Sequence, residues 1–200
     1  MSNKNVNLIF LDVETTGLSS KDEIIEIACV RVHDLHFTTI NPAETFHTYV
    51  KPTVESGEAA LKVHGITTEF LKDKPEFASI CDSFLEFISD SVIIAHNAQF
   101  DISFINRALA KSDRPALTNR IIDSLTVARR IFVGQAVGLD RLPKLLGIEF
   151  KRGLHSALED AMILAKVYAA MMKPQLQGIN FSENQEKSTR VYQMRQTIIE

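Results

Sequence analysis

Apolar positions in the first third of the chain come in short runs, and later ones recur at helical spacing. Residues 6–13 form a run of large aliphatic and aromatic side chains broken by Asp12, which predicts a buried strand. Thr15-Thr16-Gly17 then interrupts the pattern. Residues 24–32 are apolar on nearly both faces and predict a second strand. Residues 46–50 alternate and predict a third, ended by Lys51-Pro52. Short connections between the three imply an antiparallel meander.

Helical periodicity takes over after Pro75, which suits a first helical turn. Phe77, Ile80, Cys81, Phe84 and Ile88 fall on one face. Residues 91–95 read as a short strand. His96-Asn97-Ala98 turns into a helix whose stripe is Phe100, Phe104, Ile105 and Ala108. Residues 120–122 are a fifth strand, with Asp123 or Ser124 as the cap of the next helix. Residues 139–146 form a short helix closed by Gly147. Ser156-Ala157-Leu158-Glu159 is a capping-box pattern that opens a long helix to about residue 172. Phe77, Phe84 and Phe104 keep helical register and are assigned to the core. Three strands, then helices alternating with two more, predict an α/β fold with a central mixed five-stranded sheet flanked by helices. Residues 1–173 make one domain. Lys173-Pro174 ends it, and residues 174–200, with much Gln, Asn, Ser and Glu, read as a tail or linker available to a partner.

Composition narrows the class. Two hundred residues at 45% hydrophobic sustain a core and exclude wholesale disorder. A net charge of −3 excludes a small, strongly cationic nucleic-acid binder. The charge is uneven: residues 1–100 hold 7 basic and 15 acidic side chains, and residues 101–200 hold 15 and 10. Such a division suits a site that keeps metal ions beside a polyanion. Cys29 and Cys81 are too few for a disulfide framework or a four-thiolate zinc site, so each is expected to be a small buried hydrophobe in a reducing compartment. The run from Leu8 to Leu11 is too short for a signal peptide or a membrane span, and a soluble cytoplasmic protein is expected.

Three places carry candidate chemistry. Asp12 and Glu14 stand at i and i+2, on one face of a strand. They fit either solvated turn acids or a pair held together by a hard divalent cation. Asp101 shares the buried stripe of Phe104, Ile105 and Ala108 near a helix start, where it also complements the helix dipole. Asp160 lies on the buried flank of the last helix, and His155 stands in the loop before it, a common place for a plain surface histidine. Four carboxylates close to the ends of sheet strands repel one another too strongly to converge without metal. Two divalent ions about 3.5–4 Å apart would neutralise them and suit in-line attack on a phosphodiester. A histidine there could take the proton of the attacking water.

FLDVETTGL, HNAQFDISF and HSALEDA together resemble the three motifs of DEDD-type 3′–5′ exonucleases, in the subclass with a catalytic histidine. The resemblance spans roughly residues 5–172 and implies a ribonuclease H-like fold. Residues 63–77, 123–134 and 152–171 are most similar to the proofreading, epsilon-type subunits of bacterial DNA polymerase III. It implies that Asp12, Glu14, Asp101 and Asp160 hold two divalent ions, Mg²⁺ or Mn²⁺, and that His155 is the general base. It also implies that Glu14, Glu58, His64 and Asp160 approach the terminal nucleotide. The implied function is hydrolysis of nucleotides from DNA 3′ ends, in proofreading beside a polymerase catalytic subunit. An exoribonuclease of RNA maturation or oligonucleotide degradation would use the same catalytic set, and a non-catalytic polymerase subunit is a third reading. Residues 175–181 resemble a sliding-clamp-binding peptide, with Ile179 and Phe181 in place and Leu176 where Gln is expected.

Other polar residues have plainer expectations. Glu26, inside the second strand, resembles a recurrent acid of the family and is expected to be structural, with a basic partner. Asp123 is expected to be an N-cap, His33 and His36 to lie on the surface, His96 to order its turn, and Arg152 to be solvated or to touch phosphate.

Overall fold

The computed structural model describes residues 7–33, 44–150 and 153–173. Along them run β1 (Leu8–Thr15), β2 (Ile24–Val32), β3 (Thr45–Tyr49), α1 (Glu58–His64), α2 (Thr68–Leu71), α3 (Phe77–Ile88) and β4 (Val92–Ala95). Then come α4 (Ala98–Lys111), β5 (Ile121–Asp123), α5 (Ser124–Ile131), α6 (Leu142–Leu145) and α7 (Ala157–Met171). The strands form one sheet in the order β3-β2-β1-β4-β5. β1, β2 and β3 are antiparallel neighbours, while β4 and β5 join parallel to β1. The expected mixed α/β sheet and its opening meander are both present.

Parity along β1 sorts the core into two layers. Leu8 and Phe10 face α5, α6 and α7, whereas Ile9, Leu11 and Val13 face α3 and α4. Phe10 meets Tyr168 of α7 edge-on, with ring centroids 5.7 Å apart, and both are fully buried. Side chains of this size contribute about 1.5–3 kcal/mol each when removed from water. Cys29 and Cys81 are buried free thiols, as expected, and burial pushes both upward from the ordinary thiol range.

Several elements differ from the sequence pattern. β1 continues to Thr15 instead of ending at Val13, because β2 pairs with it through Glu14↔Glu26 and, after a bulge, Thr15↔Ile24. The bulge breaks the alternation of β2: Ile24 joins the α3–α4 layer, and Ile25 packs instead against Ile66 and Leu71. α1 and α2 were not anticipated. α1 buries only His64 and α2 only Leu71, so neither shows an apolar stripe. The Ser156–Glu159 capping box does not form. Ser156 is the N-cap of α7, but its side chain makes no bond to its own helix. Residues 174–200, including the clamp-like 175–181, together with His36 and Arg152, lie outside the described residues.

Candidate active site

β4 accompanies β1 only along Leu8–Phe10, so the second half of β1 outruns it. On the β2 side β1 stays paired, and on the other it presents an open edge. This overhang carries Asp12 and Glu14, which continue the row of Leu8 and Phe10 on the α7 face. The turn after it is rigid. Thr15 Oγ1 donates to the Gly17 carbonyl at 2.7 Å, and Thr16 Oγ1 donates to Asp22 Oδ1 at 3.1 Å while accepting from the Glu23 amide at 3.0 Å. Hydrogen bonds from Ser19 hold the Asp22 carboxyl below its usual range. A Cβ at Gly17 would stand 2.8 Å from that carboxylate, so the close approach needs glycine. The Gly57 amide donates to the Thr16 carbonyl at 2.9 Å and draws α1 over the same end of β1.

Asp101 arrives from the other side of the sheet, in the first turn of α4. Its Oδ1 accepts from the Val13 amide at 3.2 Å, satisfying a backbone donor that β4 is too short to reach. The carboxyl is buried, and burial pushes its pKa up to about 8. α4 begins at Asn97 in the left-handed region, φ 72°, with no cap from its own side chain. Asp123 Oδ1 accepts from the Asn97 and Ala98 amides at 3.0 and 3.4 Å, and from Leu125 at 3.1 Å. One carboxylate therefore caps α4 as well as α5, the helix for which it was expected.

Asp160 and His155 come with α7. Asp160 is buried, and its Oδ2 lies 3.5 Å from His155 Nδ1. The His155 amide donates to the Val63 carbonyl at 3.0 Å, which ties the loop before α7 to the end of α1. Glu14, His155 and Asp160 each offer an atom within 4.8 Å of the others. Those three, with Asp12 and Asp101, line one cleft of about 400 Å³. Of the expected catalytic and metal residues, all five thus reach a single cavity, and three form its tightest cluster.

His64 lines the same cleft. Its Nδ1 accepts from the Ile66 amide at 3.0 Å, so in the neutral ring Nε2 carries the proton. Burial pushes its imidazole below the usual histidine range. Glu58 is different. It is absent from the cleft lining, its side chain is 94% exposed, and its carboxylate lies 3.9 Å from Lys62. It opens the seven-residue helix α1 and His64 closes it, an offset that turns the two onto different faces. Sequence reasoning missed Leu18, Ala60, Val63 and Phe100, which also line the cleft. Leu18 is 86% exposed and Val63 43%. The available signal was a lone leucine just past a turn glycine, where no core could claim it. His96 lines the cleft too, with Nδ1 2.9 Å from Ser124 Oγ.

The donor set is chemically suited to hard cations. Carboxylate oxygens are the preferred ligands of divalent ions of this kind. A buried Asp101 that otherwise keeps a proton up to about pH 8 is a place where a cation can replace that proton. Asp12, Glu14, Asp101 and Asp160 are the residues that would hold such ions.

Known proteins share this architecture. The family model described as "Exonuclease" matches residues 9–168. The DNA polymerase III subunit epsilon of Buchnera aphidicola subsp. Acyrthosiphon pisum is 41% identical over 204 residues, covering 94% of this chain and 84% of that protein. The subunit of the same name from Escherichia coli K12 is 42% identical over 182 residues, covering 86% and 73%. A solved structure of exonuclease X with 5′-overhanging duplex DNA superposes with a TM-score of 0.64 at 27% identity, over 82% of this chain and 90% of that one. Escherichia coli exonuclease I with a dA16 oligonucleotide superposes at 0.71 with 18% identity, over 86% and 42%, a likeness of fold. The sheet order, the acid-lined cleft at the end of β1 and these similarities place the chain in the exonuclease family, with a ribonuclease H-like fold, among the DNA polymerase III epsilon subunits.

Proposed function

We propose that this chain is the proofreading 3′–5′ exonuclease of a replicative DNA polymerase, hydrolysing nucleotides from DNA 3′ ends at the cleft beyond β1. The observation that carries the reading is the convergence of Glu14, His155 and Asp160 within 4.8 Å, in one cavity with Asp12 and Asp101. Asp12, Glu14, Asp101 and Asp160 hold two divalent cations, Mg²⁺ or Mn²⁺. Cations held by these residues would supply charge neutralisation at the phosphodiester and a lowered pKa for a bound water. His155 accepts the proton of that water, and Asp160 beside it favours the imidazolium that results. His64, which lines the same cleft, approaches the terminal nucleotide. Asp101, bonded to the Val13 amide, fixes its own carboxylate against the strand that carries Asp12 and Glu14.

The partners follow from the same reading. The net charge of −3 leaves the chain without a broad basic surface, so a polymerase catalytic subunit brings the DNA. Residues 175–181 dock on a sliding clamp, a proposal that rests on their sequence alone. Among the described residues no helix is long and apolar enough to cross a membrane.

The test is digestion of matched 5′-labelled DNA and RNA oligonucleotides in Mg²⁺, beside an Asp12→Ala control and an EDTA control. A 3′-to-5′ ladder on DNA, absent from both controls, is expected. A ladder mainly on RNA would move the protein to RNA processing. Cleavage that persists in EDTA would reject the metal-dependent site.

A further inference from the structure

Glu26 is a buried carboxylate for which the chemistry above has no use. It is 0% exposed, sits directly across from Glu14 on the neighbouring strand, and lies on the face that α7 covers. Like charges in that arrangement are unfavourable, and a buried carboxylate is tolerated only where donors meet it. Three do. His47 Nε2 lies 2.7 Å from Oε1, Ser156 Oγ donates to Oε1 at 3.0 Å, and the Ala157 amide donates to Oε2 at 3.1 Å. Two of the three belong to the start of α7. Glu26 thus supplies the cap that the Ser156 side chain does not give its own helix.

The rest of the α7 interface explains why such a bond matters. Ala157, Ala161 and Ala165, all 0% exposed, follow one another at every fourth position. A row of methyl groups packs closely but offers shallow ridges to fix how far the helix slides or turns. The bond to Glu26 acts one and two residues after His155, and the Asp160 amide then donates to the Ser156 carbonyl at 2.9 Å. From the opposite side, the Val63 carbonyl holds the His155 amide.

We propose that Glu26, oriented by His47, is a positioning residue: it sets the height and rotation of the first turn of α7 and so holds His155 and Asp160 against Glu14. The proposal rests on the nuclease reading of the cleft. Misplacement of reacting groups by about 1 Å costs on the order of 10²-fold in rate, so a bond that touches no reacting atom can govern turnover.

The test uses the full chain and the variants Glu26→Ala, Glu26→Gln and Ser156→Ala, with Asp12→Ala as control. Two readouts are taken: kcat and KM on a DNA oligonucleotide, and the ring signals of ¹⁵N-labelled His155 in the metal-free protein. Glu26→Ala is expected to lower kcat by about 10–100-fold, as loss of a supporting partner does, with KM changed less than about threefold. Its His155 signals move. The Gln amide can meet the same partners once the His47 ring changes tautomer, so Glu26→Gln recovers most of the turnover and the wild-type signals. A folded Glu26→Ala with wild-type kcat and unmoved His155 signals overturns the proposal, and so does a Gln variant as impaired as the Ala one. Should Glu26→Ala fail to fold, Ser156→Ala decides: displaced His155 signals and lowered kcat support the proposal, and wild-type values for both overturn it. Wild-type protein without nuclease activity, or an active Asp12→Ala, removes the nuclease reading instead, and the His155 signals then report on Glu26 alone.

Discussion

The first turns of α4 and α7 each carry a buried acid to the end of β1, and each is capped by a carboxylate from another element. Asp123 caps α4 from a partly exposed position at the end of β5, and Glu26 caps α7 from deep inside β2. The functional acids then differ in how they are held. Asp101 bonds directly to the β1 backbone, so its place is set by the strand itself. Asp160 and His155 lie against each other, 3.5 Å apart, and their place depends on where α7 sits. The comparison teaches that one half of the cleft is anchored to the sheet, while the other is anchored through its helix.

Ways to break that comparison begin with the α7 half. His155→Ala is expected to lower single-turnover hydrolysis by roughly 10²–10⁴-fold, while the midpoint of thermal unfolding stays near wild type. A wild-type rate would assign the proton transfer elsewhere. The α4 half should show itself in stability. Below about pH 4 Asp101 keeps its proton folded or unfolded. As the pH rises from its ordinary value of 3.8 to about 8, only the unfolded chain releases that proton. The stability this group confers is therefore complete at low pH and lost progressively across that window. Metal-free wild type should lose more stability than Asp101→Asn between pH about 5 and about 8, with Mg²⁺ restoring part of it in wild type alone. Parallel profiles, measured by urea unfolding, would contradict the assignment.

Smaller effects sharpen the picture. Asp123→Ala removes the acceptor shared by the starts of α4 and α5, and should cost about 1–2 kcal/mol in chemical denaturation. A loss near zero would mean that water replaces the cap. Tyr168→Phe lies between the halves, in the α7 layer. The Tyr168 hydroxyl is buried with no hydrogen-bond partner among the described residues, and burial pushes its pKa up to about 12. Its removal should leave activity unchanged and raise the melting temperature slightly, because a buried unsatisfied group costs about 1–3 kcal/mol. A clear fall in melting temperature would reveal a partner for that hydroxyl.

Where local pattern carries the structure, the sequence was readable. The bounds read for β2 coincide with those found, and the stripes of α3 and α4 fall on their buried sides. Asp101 and Asp160 stand out because acids on buried faces lack a packing reason, and Asp12 with Glu14 because they share a strand face; the three motifs join these four to His155, which its loop alone does not single out. What stayed hidden depends on distant partners. α1 and α2 have no stripe because they bury one residue each. The capping-box pattern at Ser156 was misleading because Glu26, 130 residues earlier, takes the hydroxyl. Glu26 itself was read as structural with a basic partner, and His47 is that partner, but no local pattern connects it to α7. The exposure of Glu58 outside the cleft lining is equally hidden, because the turn of α1 decides which side chains face the cleft.

The overhang of β1 has a consequence for the life of the chain. Its two acids, Asp12 and Glu14, are far in sequence from Asp101 and farther still from His155 and Asp160. Contacts this remote in sequence are slow to form, because loop closure must be paid for first. A nascent or misfolded chain thus carries the acids without the geometry that would let them cut. Cleavage at this cleft requires α7 to have closed onto β1, and appearance of nuclease activity during refolding would time that closure.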